Sequence, residues 1–320
     1  MGNQVVETEL IAVLVAVTDG DPRVLTIENG YALPSGPLEP GHPSLQTGLR
    51  AWVERQTHHP IGYVEQLYTF ADQSRVGSFT DQSRPGSFTD QSRPGAMAAQ
   101  QRGEARGISI SYLALSREAA AEYPSASWRS WYHYFPWEDQ REDNPFPADM
   151  YRSLTGWAAG DAGRLARIAG LFGGEGRVWN EELVLQRYEL LWEAGLVPEA
   201  TRNALAAATP VPGKEMLHDH RRILATGIAR LRAKIKYRPV VFELLAHEFT
   251  LLELQQTMEA LAGQSLHKPN FRRFIEGQEL VEETGRTTTG LAGRPAKLFR
   301  FRASVLEERG FTGSKLPLVR

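Results

Sequence analysis

Residues 240–302 carry the pattern that most limits what this chain can fold into. Apolar residues recur there at helical spacing in three short segments, and two strand-like segments follow with a glycine-rich tip between them. The predicted elements are, in order, a helix at Val241–Leu245, a helix at Leu251–Ala262, a helix that begins at His267-Lys268-Pro269 and runs through Asn270–Gln278, and strands at Leu280–Thr284 and Lys297–Arg302. Three helices followed by a two-stranded wing are typical of a winged helix-turn-helix.

Local signals define the ends of the second and third of these helices. Thr250, with Glu253 three residues later, has the spacing of a capping box that starts the second helix. Gly263 is suited to end that helix, and Pro269 is suited to the first position of the next one. These signals favour two separate helices over one long helix.

Basic and amide side chains concentrate on the third helix and on the wing. Arginine pairs with guanine edges and asparagine with adenine edges in the major groove, whereas wing cations suit phosphate or minor-groove contacts. Phe271 and Phe274 are expected to face the core. The candidate DNA-binding residues are Thr250, Lys268, Asn270, Arg272, Arg273, Arg286, Arg294 and Lys297. The alternative is that they are solvated charges on a small helical domain.

The distribution of charge agrees with a nucleic-acid-binding C-terminal third. The whole chain has a net charge of −2, but residues 214–320 contain 19 Lys and Arg against 12 Asp and Glu. A basic module beside an acidic remainder is typical of such proteins. Uneven but solvated surface charge would give the same counts.

The first part of the chain alternates strands with one helix. Aliphatic and alternating segments predict strands at Glu9–Thr18, Arg23–Ile27, Tyr63–Phe70 and Ile108–Leu115, and helical spacing predicts a helix at Leu45–Gln56. The turn signal at residues 19–22 makes the first two strands a hairpin. This order indicates an α+β domain with a mixed sheet.

Three further segments lie between and after these elements. Residues 72–98 are three copies of a nine-residue Gly/Ser/Arg-rich repeat, which we interpret as a mobile loop insertion. The aromatic segment Ser127–Asp139 is expected in a core or an interface, and Asp149–Ala200 is expected to be helical. His218–Lys236 predicts a long basic amphipathic helix.

The composition excludes several classes of protein. The absence of cysteine rules out disulfides and thiolate metal sites and fits a reducing cytoplasm. No apolar run near the N-terminus approaches the ~20 residues of a membrane span, and no signal peptide is evident. We therefore expect a cytoplasmic protein without membrane contact. Signatures of zinc proteases, P-loop proteins and serine hydrolases are also absent.

Several motifs of the C-terminal third are similar to a known family. These are FELL at 242–245, FTLLELQ at 249–255, NFRR at 270–273 and GRPAKLFRF at 293–301. They resemble the DNA-binding half of Nudix-related transcriptional regulators, the NrtR-type repressors of NAD metabolism. The helix at 218–234 resembles the linking helix of that family, and residues 5–120 resemble a Nudix domain in their strand–helix order.

The resemblance implies an α+β chain made of an N-terminal Nudix-like mixed α/β sandwich with a helical insertion and a C-terminal winged helix-turn-helix. The expected divisions are a Nudix-like effector-sensing domain at 1–126 with the repeat-bearing loop at 71–106, an aromatic and helical insertion at 127–212, a linking helix at 213–238, the winged helix at 239–304 and a tail at 305–320.

The Nudix motif itself is altered. Active Nudix hydrolases place several glutamates three and four residues apart on one helix face, where they hold Mg²⁺ beside a pyrophosphate. The expected glutamate positions here hold His42, Ala51 and Arg55. Glu54 is the one motif carboxylate that is retained. It lies four residues after Arg50, and we expect these two side chains to form an ion pair on the helix. We therefore expect no catalytic residue, no bound metal and no required cofactor.

The resemblance also implies a ligand and partners. The expected effector is ADP-ribose or a related NAD-derived nucleotide, which relieves the binding of a homodimer to a palindromic double-stranded DNA operator. The loop at 33–36 and two arginines are candidates for its diphosphate, and Tyr31, Tyr68 or Phe70 for stacking on its adenine. The candidate effector-binding residues are Tyr31, Gly36, Arg50, Glu54, Arg55 and Phe70. Two alternatives remain, a Nudix hydrolase of ADP-ribose or another nucleoside diphosphate derivative, and a protein-interaction module.

Overall fold

The computed structural model describes residues 6–62, 64–70, 106–118, 126–142, 148–173, 176–201, 211–235, 240–288 and 295–302. The nine-residue repeat at 72–98 lies outside these ranges, and so does Arg294. The N-terminal strands and helix are β1 (Val6–Thr18), β2 (Asp21–Thr26), β3 (Ser35–Pro37), α1 (Leu45–Thr57), β4 (Val64–Phe70), β5 (Arg106–Leu115) and β6 (Ser127–Ser130).

These strands form one six-stranded mixed sheet. Its order is β4-β5-β1-β2-β6, with β3 paired to β1, and β1 runs parallel to β5 but antiparallel to β2. The predicted hairpin, mixed sheet and helix are therefore confirmed. Two strands were not predicted, because β3 is three residues around Gly36 and β6 begins the aromatic segment without apolar alternation.

The sheet is covered by a helix on each face. Leu10, Ala12 and Leu14 of β1 pack in one cluster with Leu49 and Val53 of α1. The alternate β1 residues Ile11, Val13 and Val15 pack in a second cluster with Ile223, Ile228 and Leu231, which belong to a helix at His220–Ile235. Successive residues of a strand point to opposite faces, so the mainly apolar β1 is buried on both. The predicted mixed α/β sandwich is confirmed.

The insertion is helical, as expected. Its helices are α2 (Ala148–Ala158), α3 (Ala162–Phe172), α4 (Val184–Glu193) and α5 (Pro198–Thr201), and they precede α6 (His220–Ile235). The aromatic segment supplies buried Trp131, Tyr134, Phe135 and Trp137 to the main core cluster, which agrees with its predicted burial.

Helix α6 packs against one face of the sheet along much of its length and so forms one layer of the sandwich. A Cβ built on Gly227 would lie 2.8 Å from Val13 Cγ1, so this helix and β1 approach each other closely. Two of its arginines, Arg221 and Arg232, are fully buried. The segment that the sequence assigns to a link between domains thus packs against the sheet on one side.

The C-terminal elements follow the predicted order. A 3-10 turn at Val240–Glu243 replaces the first predicted helix, and α7 (Leu251–Ala262), α8 (Lys268–Gly277), β7 (Val281–Thr287) and β8 (Lys297–Phe301) follow. The capping box of Thr250 and Glu253 is present, and Gly263 ends α7 at φ 69°. Strand β7 runs three residues further than predicted, because Gly285 at φ 75° lets it continue through an irregular register.

The end of α7 is held against the insertion. Tyr132 Oη donates to the Ala260 carbonyl at 2.6 Å, Arg232 Nε donates to the Leu261 carbonyl at 2.8 Å, and Gln140 N donates to the Gly263 carbonyl at 2.7 Å. The last carbonyls of a helix have no partner inside the helix. Here the insertion and α6 supply those partners, which positions the winged helix on the rest of the chain.

Candidate functional site

Helix α8 presents four of the eight predicted DNA-binding side chains to solvent. Lys268, Asn270, Arg272 and Arg273 are all exposed. Arg273 Nη2 donates to Asn270 Oδ1 at 2.6 Å, so these two side chains are arranged together. In the part of the chain that the structure describes, neither Lys268 nor Arg272 has an ion-pair partner.

One prediction for α8 is wrong. Phe271 and Ile275, one turn apart, are 5% and 3% exposed and face the core, but Phe274 is 45% exposed. At 3.6 residues per turn, a residue three positions after Phe271 falls short of a full turn and lies on the flank of the helix. Spacing alone does not separate i+3 from i+4 as the buried position.

The wing cations that the structure describes are paired, unlike those of α8. Arg286 contacts Glu248 at 2.9 Å, Lys297 contacts Glu283 at 2.8 Å, and Arg300 contacts Glu282 at 2.7 Å. The hydroxyl of Thr250 accepts a hydrogen bond from Glu253 N at 3.1 Å, and the residue is only 9% exposed. Thr250 therefore serves first as the N-cap of α7.

The origin of the basic charge differs from the expectation. Residues 240–302 contain eight Lys and Arg against eight Asp and Glu, whereas residues 214–239 contain eight against two. The surplus thus lies around α6, where Arg221 pairs with Glu199 at 3.2 Å and Arg232 with Glu138 at 2.6 Å inside the protein. The basic surplus predicts DNA binding, but some of its arginines form ion pairs inside the protein instead.

Helix α1, which carries the predicted Nudix motif, packs around one tryptophan. A Cβ on Gly36 would overlap the Trp52 indole ring, so this glycine permits the close approach of β3 to α1. The Arg55 guanidinium lies 4.4 Å from the centroid of the same ring. Arg50 donates to the Ile61 carbonyl rather than pairing with Glu54, which corrects the expected ion pair.

The fold family implies Mg²⁺, and the donor set does not fit this ion. Of the motif positions on α1, only Glu54 carries a carboxylate, because Ala51 has no donor and Arg55 is a cation. The other position is taken by His42, whose Nδ1 accepts a hydrogen bond from Glu39 N at 3.2 Å. Mg²⁺ prefers several oxygen ligands. In the described ranges, no group of three His, Asp or Glu is arranged to hold a metal.

The aromatic candidates for the effector lie in different environments. Tyr31 is 39% exposed, and Lys214 Nζ lies 4.2 Å from its ring. Tyr68 is exposed, but Phe70 is 3% exposed and belongs to the main core cluster. The expected stacking role of Phe70 is therefore not supported, since its ring has no open face, while Tyr31 and Tyr68 remain accessible.

A small cleft that no sequence pattern indicates lies where α6 begins. It lies over the paired residues Glu9 and Ser109 of β1 and β5, beside His218, Asp219 and His220, and it is also lined by Ile11 and Ile223. The side chain of Glu9 accepts a hydrogen bond from Ser35 Oγ at 2.8 Å. Because these residues come from three distant segments, no local spacing could have indicated the cleft.

Buried His220 ties this cleft to the loop at 33–36. Leu33 N donates to His220 Nδ1 at 2.8 Å, and burial lowers the pKa of His220 to about 3. A neutral imidazole therefore accepts this bond throughout the physiological range of pH. The loop that the sequence assigns to a diphosphate is thus connected to the cleft through His220 and through Glu9.

Comparison with known proteins identifies the C-terminal domain. Residues 241–301 match the profile of the NrtR DNA-binding winged helix domain. These residues are therefore similar to an NrtR-type winged helix. A curated relative, the ADPR responsive transcriptional repressor NtrR of Acinetobacter baylyi, is 39% identical over 88 residues. That match covers 27% of this chain and 34% of the relative, so it spans about a third of that protein.

Solved structures share the fold over most of this chain. Shewanella oneidensis NrtR complexed with a 27mer DNA has a TM-score of 0.53 at 18% identity, covering 94% of this chain and 95% of that one. A MutT/nudix family protein from Enterococcus faecalis has a TM-score of 0.51 at 14% identity, covering 94% and 88%. The predicted fold, a Nudix-like domain with a winged helix, is thereby confirmed. None of the described helices is long and apolar enough to cross a membrane.

Proposed function

We propose that this protein is a DNA-binding transcriptional repressor of NAD-metabolism genes, controlled by ADP-ribose or a related NAD-derived nucleotide. A homodimer would place two winged helices on a palindromic operator in the bacterial cytoplasm. The observation that carries the proposal is the exposed face of α8, which presents cations without carboxylate partners within an NrtR-type winged helix.

The DNA contact is assigned first to α8 and second to the wing. Arg272, Arg273 and Lys268 are exposed and available for base edges or phosphates. A phosphate that contacts Arg286 or Lys297 must compete with Glu248 or Glu283, which lie within 3 Å of them. The wing is therefore proposed to position the domain while α8 supplies most of the affinity.

The effector is proposed to bind over the small cleft at the start of α6 and the adjoining loop, with Gly36 at its edge. The Acinetobacter relative is an ADPR responsive repressor, and the cleft contains carboxylate and hydroxyl groups suited to ribose hydroxyls. Tyr31 is proposed as a stacking surface. Arg50, Glu54 and Arg55 lie on α1, which covers the opposite face of the sheet, so they are not assigned to this site.

Helix α6 supports a coupling between effector and DNA. It contributes His220 beside the cleft and, twelve residues later, Arg232, which donates to the end of α7. Those two positions are ~18 Å apart along a helix. An effector that moves the start of α6 would thereby bias the position of the winged helix, which is the two-site arrangement that allostery requires.

We also propose that the chain does not hydrolyse its ligand, since the residues of α1 do not fit Mg²⁺. A hydrolase would need several carboxylates on one face of this helix. The contrary outcome is simple to recognise: Mg²⁺-dependent release of AMP from ADP-ribose by the purified protein would restore the alternative of a Nudix hydrolase.

The proposal is tested by fluorescence anisotropy with DNA from upstream of the protein's own gene cluster, at fixed salt. We expect specific binding that ADP-ribose weakens. The double variant R272A/R273A should lose at least ~30-fold in affinity, since each arginine–base contact contributes about 1–3 kcal/mol. The control R152A removes a cation that pairs with Asp149 on exposed α2 and should bind as the wild type does. Unchanged affinity of the double variant would refute the assignment of α8.

A further inference from the structure

We infer that Phe274 contacts the C5-methyl group of a thymine in the operator, on a base-reading face of α8 formed by Asn270, Arg273, Phe274 and Gly277. This inference rests on the proposed function and adds a specificity residue to it. The first observation is that Phe274 leaves 45% of its surface exposed, although burial of a Phe side chain is favourable by about 1.5–3 kcal/mol.

The four residues share one side of the helix. With 3.6 residues per turn, they span an arc of about 100° that points away from buried Phe271 and Ile275. The opposite flank carries Arg272 together with Glu276, which lies four residues later on the same side. A carboxylate is repelled by phosphate, so the flank without one is the better surface for base edges, while Arg272 at the border of the other flank is available to a phosphate.

The composition of this face fits base edges in the major groove. Arg273 and Asn270 are joined by a hydrogen bond of 2.6 Å, which orients the two side chains that pair best with guanine and adenine. Phe274 adds an apolar group, and the apolar feature of the major groove is the thymine methyl.

Gly277 provides independent support. A Cβ at this position would meet nothing within 4 Å, so packing does not require glycine there. Its φ lies outside the left-handed range, so the backbone does not require it either. The missing side chain leaves α8 open on the side of Phe274, where a duplex can come close.

The test replaces each operator thymine in turn with deoxyuridine, which removes only the methyl group. For the wild type, one position in each half-site should lose about fourfold in affinity, as expected for one buried methyl group. The variant F274A should bind the thymine and deoxyuridine operators equally, with the affinity of the wild type for deoxyuridine. F274L, which keeps an apolar side chain, should retain part of the discrimination.

The outcomes separate this inference from the proposed function. Wild-type protein that binds the operator specifically but ignores every thymine-to-deoxyuridine change would overturn the role of Phe274 and leave the repressor proposal intact. Absence of specific binding by the wild type would refute the repressor proposal itself. If F274A changes the sedimentation of the free protein and still distinguishes thymine from deoxyuridine, Phe274 contacts protein and the inference is wrong. Because nearly half of Phe274 is exposed, the melting temperature of F274A should fall by no more than about 4 °C.

Discussion

At the scale of single residues, burial decides what a polar side chain can do. His220 is 3% exposed, accepts a hydrogen bond from Leu33 N and lies with its ring centroid 6.2 Å from that of His218. Desolvation, with a smaller contribution from His218, lowers the pKa of His220 to about 3, whereas an unfolded histidine has a pKa near 6.5. The native state is therefore built around the neutral imidazole.

A dependence of stability on pH follows. Below about pH 6.5 the unfolded chain binds a proton at His220 that the native state does not bind, so the free energy of unfolding falls as the pH is lowered toward 3. This one group should remove about 2 kcal/mol between pH 7.5 and pH 5. H220N, whose amide oxygen can accept from Leu33 N without titrating, should lose less across this interval. Urea unfolding of both proteins at both pH values tests this, and equal losses would contradict it.

At the scale of elements, a buried carboxylate joins three parts of the chain. Glu138 lies near the end of the aromatic segment, is fully buried and contacts Arg187 of α4 at 2.6 Å and Arg232 of α6 at 2.6 Å. Arg187 also lies 3.8 Å from the ring of Trp179. Arg232 also donates a hydrogen bond to the Leu261 carbonyl at the end of α7. The insertion, the sandwich and the winged helix thus meet at one charge cluster.

Removal of that carboxylate should be costly. E138Q keeps the size of the side chain but leaves two buried arginines without a countercharge, a change that typically destabilises by about 3–5 kcal/mol. The matched control is E193Q, which breaks the exposed pair with Arg167 and should change stability by less than about 1 kcal/mol. Urea unfolding at pH 7 compares the two variants, and similar losses for both would show that Glu138 does not hold the cluster together.

At the scale of the whole molecule, most of the basic side chains discussed above are paired with carboxylates, and few are available to contact DNA. Residues 240–302 have no net charge, and the described wing cations are paired with carboxylates of the same region. Some basic side chains of the preceding segment form buried ion pairs with Glu138 and Glu199. The proposed binding of DNA should therefore depend on a small number of cations on α8.

A measurable salt dependence follows from that number. When the logarithm of the affinity is plotted against the logarithm of the salt concentration, each phosphate contact adds about −0.9 to the slope. Lys268, Arg272 and Arg273 give at most about −3 for each bound protomer. Anisotropy titrations from about 50 to 300 mM KCl would measure this slope. A slope of about −5 or steeper for each protomer would show that the wing cations leave their carboxylates and contact phosphate as well.

The sequence by itself determined those helices and turns whose signals all lie within about ten consecutive residues. The β1–β2 hairpin, α1, the capping box of α7 and the proline at the start of α8 follow from local turn chemistry, caps and apolar spacing. The motifs at 242–301 also predicted the NrtR-type winged helix. The site assignments on α8 and α1, and the divisions between domains, remain predictions.

Three features were decided only by the tertiary structure. These are the identity of the buried charged side chains, the exposure of Phe274, and the cleft lined by Glu9, Ser109 and His218. Strands β3 and β6 also depended on it, because each is a short segment stabilised by pairing with a distant strand. The physical reason is common to all of these. A turn or a cap is stabilised by neighbours along the chain, whereas burial, ion pairing and clefts are set by neighbours in space, which a linear pattern does not specify.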